Sequence, residues 1–436
     1  MFQKTKNLFL HLPKSIFYNF YYRFPSKKLT LIGVTGTDGK TTTSLLIYEI
    51  LKRAGINAGV ITTTGAKFGD NQEIETGLHM TSPDPSLTQK IFKKMVEAGV
   101  THVVCEITAH ALDQYRFNGC HFEISTITNT SPEHLDYFLN MEIYTKAKAK
   151  LFNRSKYAVL NKDDVSFTII KQLIKIPFTT FGIDQKSDYQ AKNIKLSEKN
   201  LKFNIDKLTI TTDSNYYYQI YNILAAFAVI KHFKIDPQIL SETVKSFPKT
   251  KGRREEINND FDFKTIIDFA HTPNALKNTL SSLKKTNSGR LIAIFGATGG
   301  RDKSKRPQMG KVVSELADIA IITADDTRNE KIENINQQII AGIKPNSILV
   351  ENNLDLSQIK KTIKKNPSKF IYFNIPNRQD SFNLGVQIAQ PKDIVIAFGK
   401  GHETTILHGN TEYPWSETEA FRSAFRLKNS KNDDSI

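Results

Sequence analysis

The chain has 436 residues, of which 39% are hydrophobic and 24% charged; at about three times the usual domain length, two or three domains with cores of their own are expected. No run of about 18 apolar residues is present, so no membrane-spanning helix is expected, and two cysteines, Cys105 and Cys120, exclude a disulfide framework or a cysteine-rich zinc site and fit a reducing cytoplasm. The formal net charge of +16 allows nucleic-acid binding, but the lysines are spread along the chain, and an enzyme whose substrates carry phosphates and carboxylates gains from the same positive field.

Residues 1–28 read as a basic amphipathic segment. The first thirty residues hold six Lys/Arg and no acid, with Phe17, Phe20, Tyr21 and Phe24 at i, i+3, i+4, i+7 spacing before Pro25. Two readings stand: a helix packed on the following domain, or one lying on a membrane surface, since basic and aromatic residues together suit an anionic interface. Pro13 and the scattered lysines argue against a signal peptide.

From residue 29 short apolar runs alternate with helical patterns, at 29–34, 58–62, 102–105 and 125–128. That rhythm predicts an α/β fold with a mostly parallel sheet and helices on both faces. Residues 189–212 alternate polar and apolar with Asn and Asp turns, predicting antiparallel strands appended to that sheet, and a helix follows near 221–232. The polar stretch 248–254 reads as a linker. Strands then resume at 264–267, 291–295, 319–323, 347–350 and 394–398, before a last helix and a polar tail, 429–436, expected to fray. The expected organisation is thus a central domain at 29–248 and a C-terminal Rossmann-like domain at 249–428.

The first apolar run leads into Thr35-Gly36-Thr37-Asp38-Gly39-Lys40-Thr41-Thr42, followed by a helical pattern with Gly55 as its stop. This is a phosphate loop in strand-to-helix context. Glycines let backbone N–H groups close around phosphate oxygens, Lys40 adds charge at the β- and γ-phosphates, and the Thr41 hydroxyl suits Mg²⁺. The strict spacing is not met, because Gly33 lies one residue early and Val34 holds the expected glycine position. The run at 102–105 ends in Glu106, at the sheet edge where a metal-holding acid belongs. Glu106 alone is weak; with Asn129, His134 and Lys146, Lys148 and Lys150 it becomes a constellation, although a lone histidine is more often structural and a lysine run is usually a solvated face.

These residues resemble the Mur ligase family: GTDGKTT at 36–42, TNTSPEHLDY at 128–137, YTKAKAKLF at 144–152, YNILAA at 221–226, KGRREE at 251–256, DFAHTPNAL at 268–276, GRDKSKRPQMG at 300–310 and GKGHE at 399–403. The similarity runs from residue 29 to about residue 425, and within the family is greatest to the branch adding the third residue of the stem peptide in peptidoglycan biosynthesis. It implies a cytoplasmic, monomeric ATP-dependent ligase that forms an amide through an acyl-phosphate, using ATP and two Mg²⁺ ions. Its substrates would be a muramoyl dipeptide precursor and a diamino acid, with no nucleic acid.

Carried over by position, the resemblance gives Gly36, Thr37, Gly39, Lys40, Thr41, Thr42 and Asn129 to the ATP phosphates, and Asn222, Arg253 and Asp268 to adenine, phosphate and ribose. Thr41, Glu106, His134 and Lys148 would serve the metals, Lys148 as a carbamate, which turns a cation into a carboxylate-like ligand. Thr81, Ser82, Thr108, Gln114 and Arg116 would hold the muramoyl peptide, and Arg301, Asp325, Asp326, Arg328, Gly399 and Glu403 the amino acid.

Three departures stand out. Thr108-Ala109 replaces the usual Ser-Ser pair. Asp325-Asp326-Thr327-Arg328 stands where diaminopimelate-using members have Asp-Asn-Pro-Arg: Arg328 favours the distal carboxylate of meso-diaminopimelate, with Glu403 facing its ammonium, whereas the extra charge of Asp326 would suit lysine or ornithine. Thirdly, only residues 1–28 stand before the central domain, so the usual uridine-binding domain is expected to be missing, which leaves the donor open between a UDP-linked one and a lipid-linked one met at the inner face of the membrane. Rival readings are a folylpolyglutamate synthase-like ligase, opposed by residues 101–117 and GKGHE, a non-catalytic ATP-binding scaffold at the membrane, and a nucleic-acid-binding P-loop protein.

Overall fold

The computed structural model describes residues 5–69, 72–75, 82–197, 200–214, 216–247, 251–351 and 354–433, with side chains described as far as 430. It has two compact units, Met1–Ser131 with Phe138–Phe247, and Pro132–Tyr137 with Pro248–Ile436. Among the described residues no helix is long and apolar enough to cross a membrane.

In the first unit eleven described strands form one sheet. Thr30–Thr35 lies between Phe122–Ile127 and His102–Glu106, parallel to both. Ala58–Thr62 extends one side in parallel, and Ser155–Asn161 and Phe178–Gly182 extend the other. The predicted antiparallel addition is present: Tyr189–Leu196, Leu201–Ile205 and Leu208–Thr212 form a meander whose burial alternates, as one face meets the core and the other solvent. The central strands are buried along nearly their whole length, which explains their continuous apolar runs. Gly33, which looked like a misplaced loop glycine, has a packing role. A Cβ there would lie 2.5 Å from Ser125 Oγ and 3.0 Å from Leu151 Cδ1.

The amphipathic segment is helical, with Asn7–His11 wound as a π-helix and Leu12–Tyr21 as an α-helix. Its packing is the reverse of a helix burying its aromatic stripe. Asn7, Ser15 and Asn19 are buried, whereas Phe17, Phe20 and Tyr21 are 59%, 67% and 66% exposed. Phe24 lies beyond the helix in the left-handed region, with φ +53°, where the chain turns into Pro25–Lys28.

In the second unit seven described strands form a sheet. Lys264–Asp268, Ile394–Phe398, Leu291–Phe295, Ile319–Ile322, Ile371–Asn374 and Ile348–Leu349 lie side by side in parallel, and Glu255–Ile257 is an antiparallel edge. The strand Ile371–Asn374 has no counterpart among the sequence expectations. Its run alternates buried and half-buried residues and lacks the continuous apolar signal of its neighbours. The last helix, Glu417–Asp433, continues past the point where a fraying tail was expected, so residues 429–433 extend a helix, and the rest of that tail lies outside the described residues.

Candidate active site

The phosphate loop hangs between the C-terminal end of Thr30–Thr35 and the first turn of the helix Lys40–Arg53. Gly36 has φ +145° and Gly39 φ +81°. A side chain at either would meet a neighbour: a Cβ on Gly36 would stand 1.9 Å from Thr128 Oγ1, and one on Gly39 would stand 2.3 Å from Asn222 Oδ1. Only glycine combines that backbone with such close approach.

A ring of side chains fixes the loop. Asn129 accepts from the Asp38 N–H and donates to the Asp38 carbonyl, both at 3.0 Å, and the Thr128 hydroxyl donates to the same carbonyl at 2.6 Å. Thr37 Oγ1 accepts from Ser131 N–H at 3.1 Å and lies 3.3 Å from the Tyr144 hydroxyl. Lys40 donates to the Thr37 carbonyl at 2.7 Å, and Thr42 lies half-buried on the helix's first turn. Lys148, on the helix Met141–Ala149, is almost fully buried. It donates to the Gly36 carbonyl at 2.7 Å and lies 4.2 Å from the centre of the Tyr144 ring.

Glu106 ends its strand beside this loop. The Thr41 hydroxyl reaches both carboxylate oxygens at 3.0 Å, and Thr63 adds its backbone N–H at 3.0 Å and its hydroxyl at 3.2 Å. Thr63 was missed in the sequence because nothing marks it except its place just past the strand Ala58–Thr62. Among the described residues no three His, Cys, Asp or Glu side chains gather as a metal cage. Thr41 and Glu106 nevertheless present hard oxygen atoms at the loop, the donor set that Mg²⁺ accepts together with phosphate oxygens.

Beside Glu106 lies a second polar cluster. Ser82 Oγ donates to the Glu106 carbonyl at 3.2 Å and accepts from Thr108 N–H at 3.1 Å. Arg116 donates to Gln114 Oε1 at 3.1 and 2.7 Å and to the Ser82 carbonyl at 2.5 Å. Four of the five residues expected to hold the muramoyl peptide are thus one hydrogen-bonded group. Thr81, the fifth, lies outside the described residues.

His134 is carried by the six residues that belong to the second unit. There Glu133 Oε1 lies 3.0 Å from His271 Nε2, Leu135 N–H donates to Asp302 at 3.1 Å, and His134 lies 3.7 Å from Glu133 with φ +56°. Burial opposes ionisation of Glu133, but His134 and His271 hold its carboxyl well below the usual range. Arg253 stacks on Phe269 at 4.4 Å. Burial and the Arg253 charge push His402 down to about 4. Asp268 accepts from the Thr279 hydroxyl at 2.8 Å and lies 3.6 Å from Arg254 Nε, a neighbour that the sequence reading passed over.

The expected amino-acid residues collect at the C-terminal ends of Ile319–Ile322 and Ile394–Phe398, the edge where ligands bind in open α/β sheets. Lys400, completely buried, donates to Asp326 Oδ1 at 2.8 Å and lies 2.5 Å from Glu403. Burial disfavours its charge, but Asp325, Glu403 and Asp326 raise its pKa above the ordinary lysine value. A Cβ on Gly399, whose φ is +109°, would lie 2.5 Å from Asp325 Oδ2. Arg328 has φ +50°, unusual for a bulky residue, and its Nε is buried with no hydrogen-bond partner among the described residues. Arg301 is held below the usual guanidinium range by burial and by Arg328, so two cations stand within each other's field.

A phosphate loop with a hydroxyl and a carboxylate beside it is the equipment of an ATP-using enzyme, and the relatives of the chain make it an ATP-dependent, amide-forming ligase. Residues 34–230 match the family described as the Mur ligase middle domain, and residues 252–401 match the Mur ligase, glutamate ligase domain. The chain is 35% identical to the UDP-N-acetylmuramoyl-L-alanyl-D-glutamate--2,6-diaminopimelate ligase of Caldanaerobacter subterraneus subsp. tengcongensis, over 92% of this chain and 78% of that one. It is 33% identical to the Bacillus cereus protein of the same name, over 98% and 84%. A solved structure of a ligase so named superposes with TM-score 0.60 at 29% identity, covering 94% of this chain and 82% of the other. A folylpolyglutamate synthase of Mycobacterium tuberculosis has TM-score 0.65 at 13% identity, over 89% and 92%, a likeness of fold alone. The chain belongs to the Mur ligase family.

Proposed function

We propose that this ligase joins meso-diaminopimelate to the D-glutamyl carboxylate of a muramoyl-L-alanyl-D-glutamate precursor in cell-wall peptide assembly. The buried Nε of Arg328, without a hydrogen-bond partner among the described residues and within the field of Arg301, supports the choice of amino acid. A second carboxylate on the incoming side chain would satisfy that donor and both charges, whereas lysine or ornithine would leave two cations facing an ammonium. Lys400 donates to Asp326 and draws on its charge, which supports diaminopimelate over a purely cationic side chain.

The D-glutamyl carboxylate attacks the γ-phosphate of ATP, ADP leaves, and the amine then displaces phosphate from the acyl-phosphate. The loop N–H groups and Lys40 hold the phosphates, while Ser82, Thr108, Gln114 and Arg116 orient the donor. Thr41 and Glu106 would hold Mg²⁺, which supplies charge neutralisation at the phosphates when bound. Carbamylated Lys148 would add a carboxylate-like group beside Gly36; burial of its amine next to the phosphate loop supports that reading. A carbamate resonance in the ¹³C spectrum after incubation with labelled bicarbonate, lost in Lys148→Ala, tests it. We also place the enzyme at the inner face of the membrane as a peripheral protein.

The functional test is phosphate release from Mg·ATP with UDP-muramoyl-L-alanyl-D-glutamate, with diaminopimelate, lysine and ornithine supplied separately and products weighed. Release coupled to a mass gain with diaminopimelate is expected. Preferential gain with lysine or ornithine would overturn the assignment of Arg328.

A further inference from the structure

The N-terminal helix presents its apolar side outward. Along Asn7–His11 and Leu12–Tyr21 the buried positions are Asn7, Ser15 and Asn19, a polar stripe. Leu8, Phe9, Leu10, Ile16, Phe17, Phe20 and Tyr21 are all exposed, Phe9 by 74%. The helix is held by polar bonds: Asn7 donates to Asp113 at 2.7 Å, Asn19 donates to the Asn118 carbonyl at 2.8 Å, and Lys14 pairs with Asp84 at 3.1 Å. Polar attachment keeps the aromatic face turned away from the domain instead of burying it, against the usual hydrophobic arrangement.

Charge points to the occupant. Lys6, Arg23, Lys27 and Lys28 are exposed among these aromatics, and the first acidic residue of the chain is Asp38. Aromatics and aliphatics on one side with cations around them match a bilayer interface rich in anionic headgroups, where rings enter the acyl boundary and amines meet phosphates. A protein groove would satisfy the apolar face but gives no reason for a segment without a single carboxylate.

We propose that residues 5–28 form a docking surface for an anionic lipid bilayer. The proposal deepens the peripheral placement given above by naming the face and the lipid chemistry. It also has a consequence for the donor site: Asp113, which holds the helix at Asn7, directly precedes Gln114 of the muramoyl-peptide cluster. Docking would therefore hold Asp113, and with it Gln114, on the side of the first unit that meets the membrane.

The test is co-sedimentation of the full chain with vesicles of phosphatidylcholine alone or with phosphatidylglycerol added, at low and high salt. The triple variant Phe17→Ser/Phe20→Ser/Tyr21→Ser serves as the control, and its exposed positions leave the fold intact, as an unchanged Tm checks. The wild type is expected to pellet with anionic vesicles at least about tenfold more than the variant, with partitioning reduced by salt and by omission of phosphatidylglycerol. Equal pelleting of both proteins overturns the proposal, as does absence of binding to anionic vesicles. A lipid-independent dimer in sedimentation velocity, lost in the variant, would assign the face to a second copy and overturn it too. Turnover on the soluble donor is expected to be the same in both proteins; loss of turnover in both would count against the ligase assignment, not the docking surface.

Discussion

Lys400 donates to Asp326 at 2.8 Å from a position with no exposure to solvent, so the carboxylate that distinguishes this pocket from the Asp-Asn-Pro-Arg form is already matched by a cation of its own chain. Asp326→Asn would leave the buried ammonium to Glu403 and Asp325 and cost about 1–3 kcal/mol, read as a lower urea midpoint. The preference for diaminopimelate over lysine, as a ratio of kcat/KM, should change by less than about threefold. A tenfold gain for diaminopimelate would show that Asp326 faces the ligand.

Arg328 is expected to set the substrate. Arg328→Lys keeps one charge but loses the planar fork, so KM for diaminopimelate should rise by about 10–100-fold while any slow turnover with lysine stays unchanged. Equal loss for both amino acids would make its role structural, a natural reading of its left-handed backbone and its bridge to His408.

Gly39→Ala should disable the loop without unfolding the sheet. The new methyl would need a φ of +81° and would stand 2.3 Å from Asn222 Oδ1, combining about 1–2 kcal/mol of backbone strain with a collision. Turnover should drop by about 10²-fold or more, with weakened ATP binding in isothermal titration. Retention of normal ATP affinity would contradict the placement of the phosphates.

Glu330 links stability to pH. Arg306, fully buried, donates to it with both terminal nitrogens at 2.8 Å, and this holds the carboxyl at about 2. Because the folded pKa lies below the unfolded one, the contribution is complete above the ordinary carboxyl value of 4.5 and disappears as the pH falls toward 2. Glu330→Gln should therefore cost about 2–3 kcal/mol near neutrality. The gap in urea midpoint between the proteins should close as the pH is lowered through that window. A gap that stays constant would show that the ionised form is not what stabilises the fold.

Much of this was legible in the sequence, for identifiable reasons. The parallel strands were readable because burial on both sheet faces demands continuous apolar runs, and the meander because one-sided burial demands alternation. The loop was readable because Gly36 and Gly39 satisfy a backbone requirement no other residue meets. The polar supports were not: Thr63, Thr128 and Tyr144 act through contacts at large sequence separation, and a threonine that braces a loop looks like any other threonine. The pairing of Lys400 with Asp326 was hidden for the same reason, although both lay in motifs already singled out. The aromatic spacing marked a face of the first helix at Phe17, Phe20 and Tyr21, though not at Phe24, which lies beyond the helix, and it carried no information about which way that face turns.

Arg378 gives the end of the chain an unexpected importance. Its guanidinium is buried, reaches the Ala324 and Phe398 carbonyls at 2.8 Å each, and pairs with Glu417 at 2.8 Å. Ala324 directly precedes Asp325 and Phe398 directly precedes Gly399, so the opening turn of the last described helix is wired to the two loops proposed to receive the amino acid. A substitution at Glu417 would therefore be felt, through Arg378, at the loops that carry Asp325 and Gly399, although Glu417 itself lies on a different element.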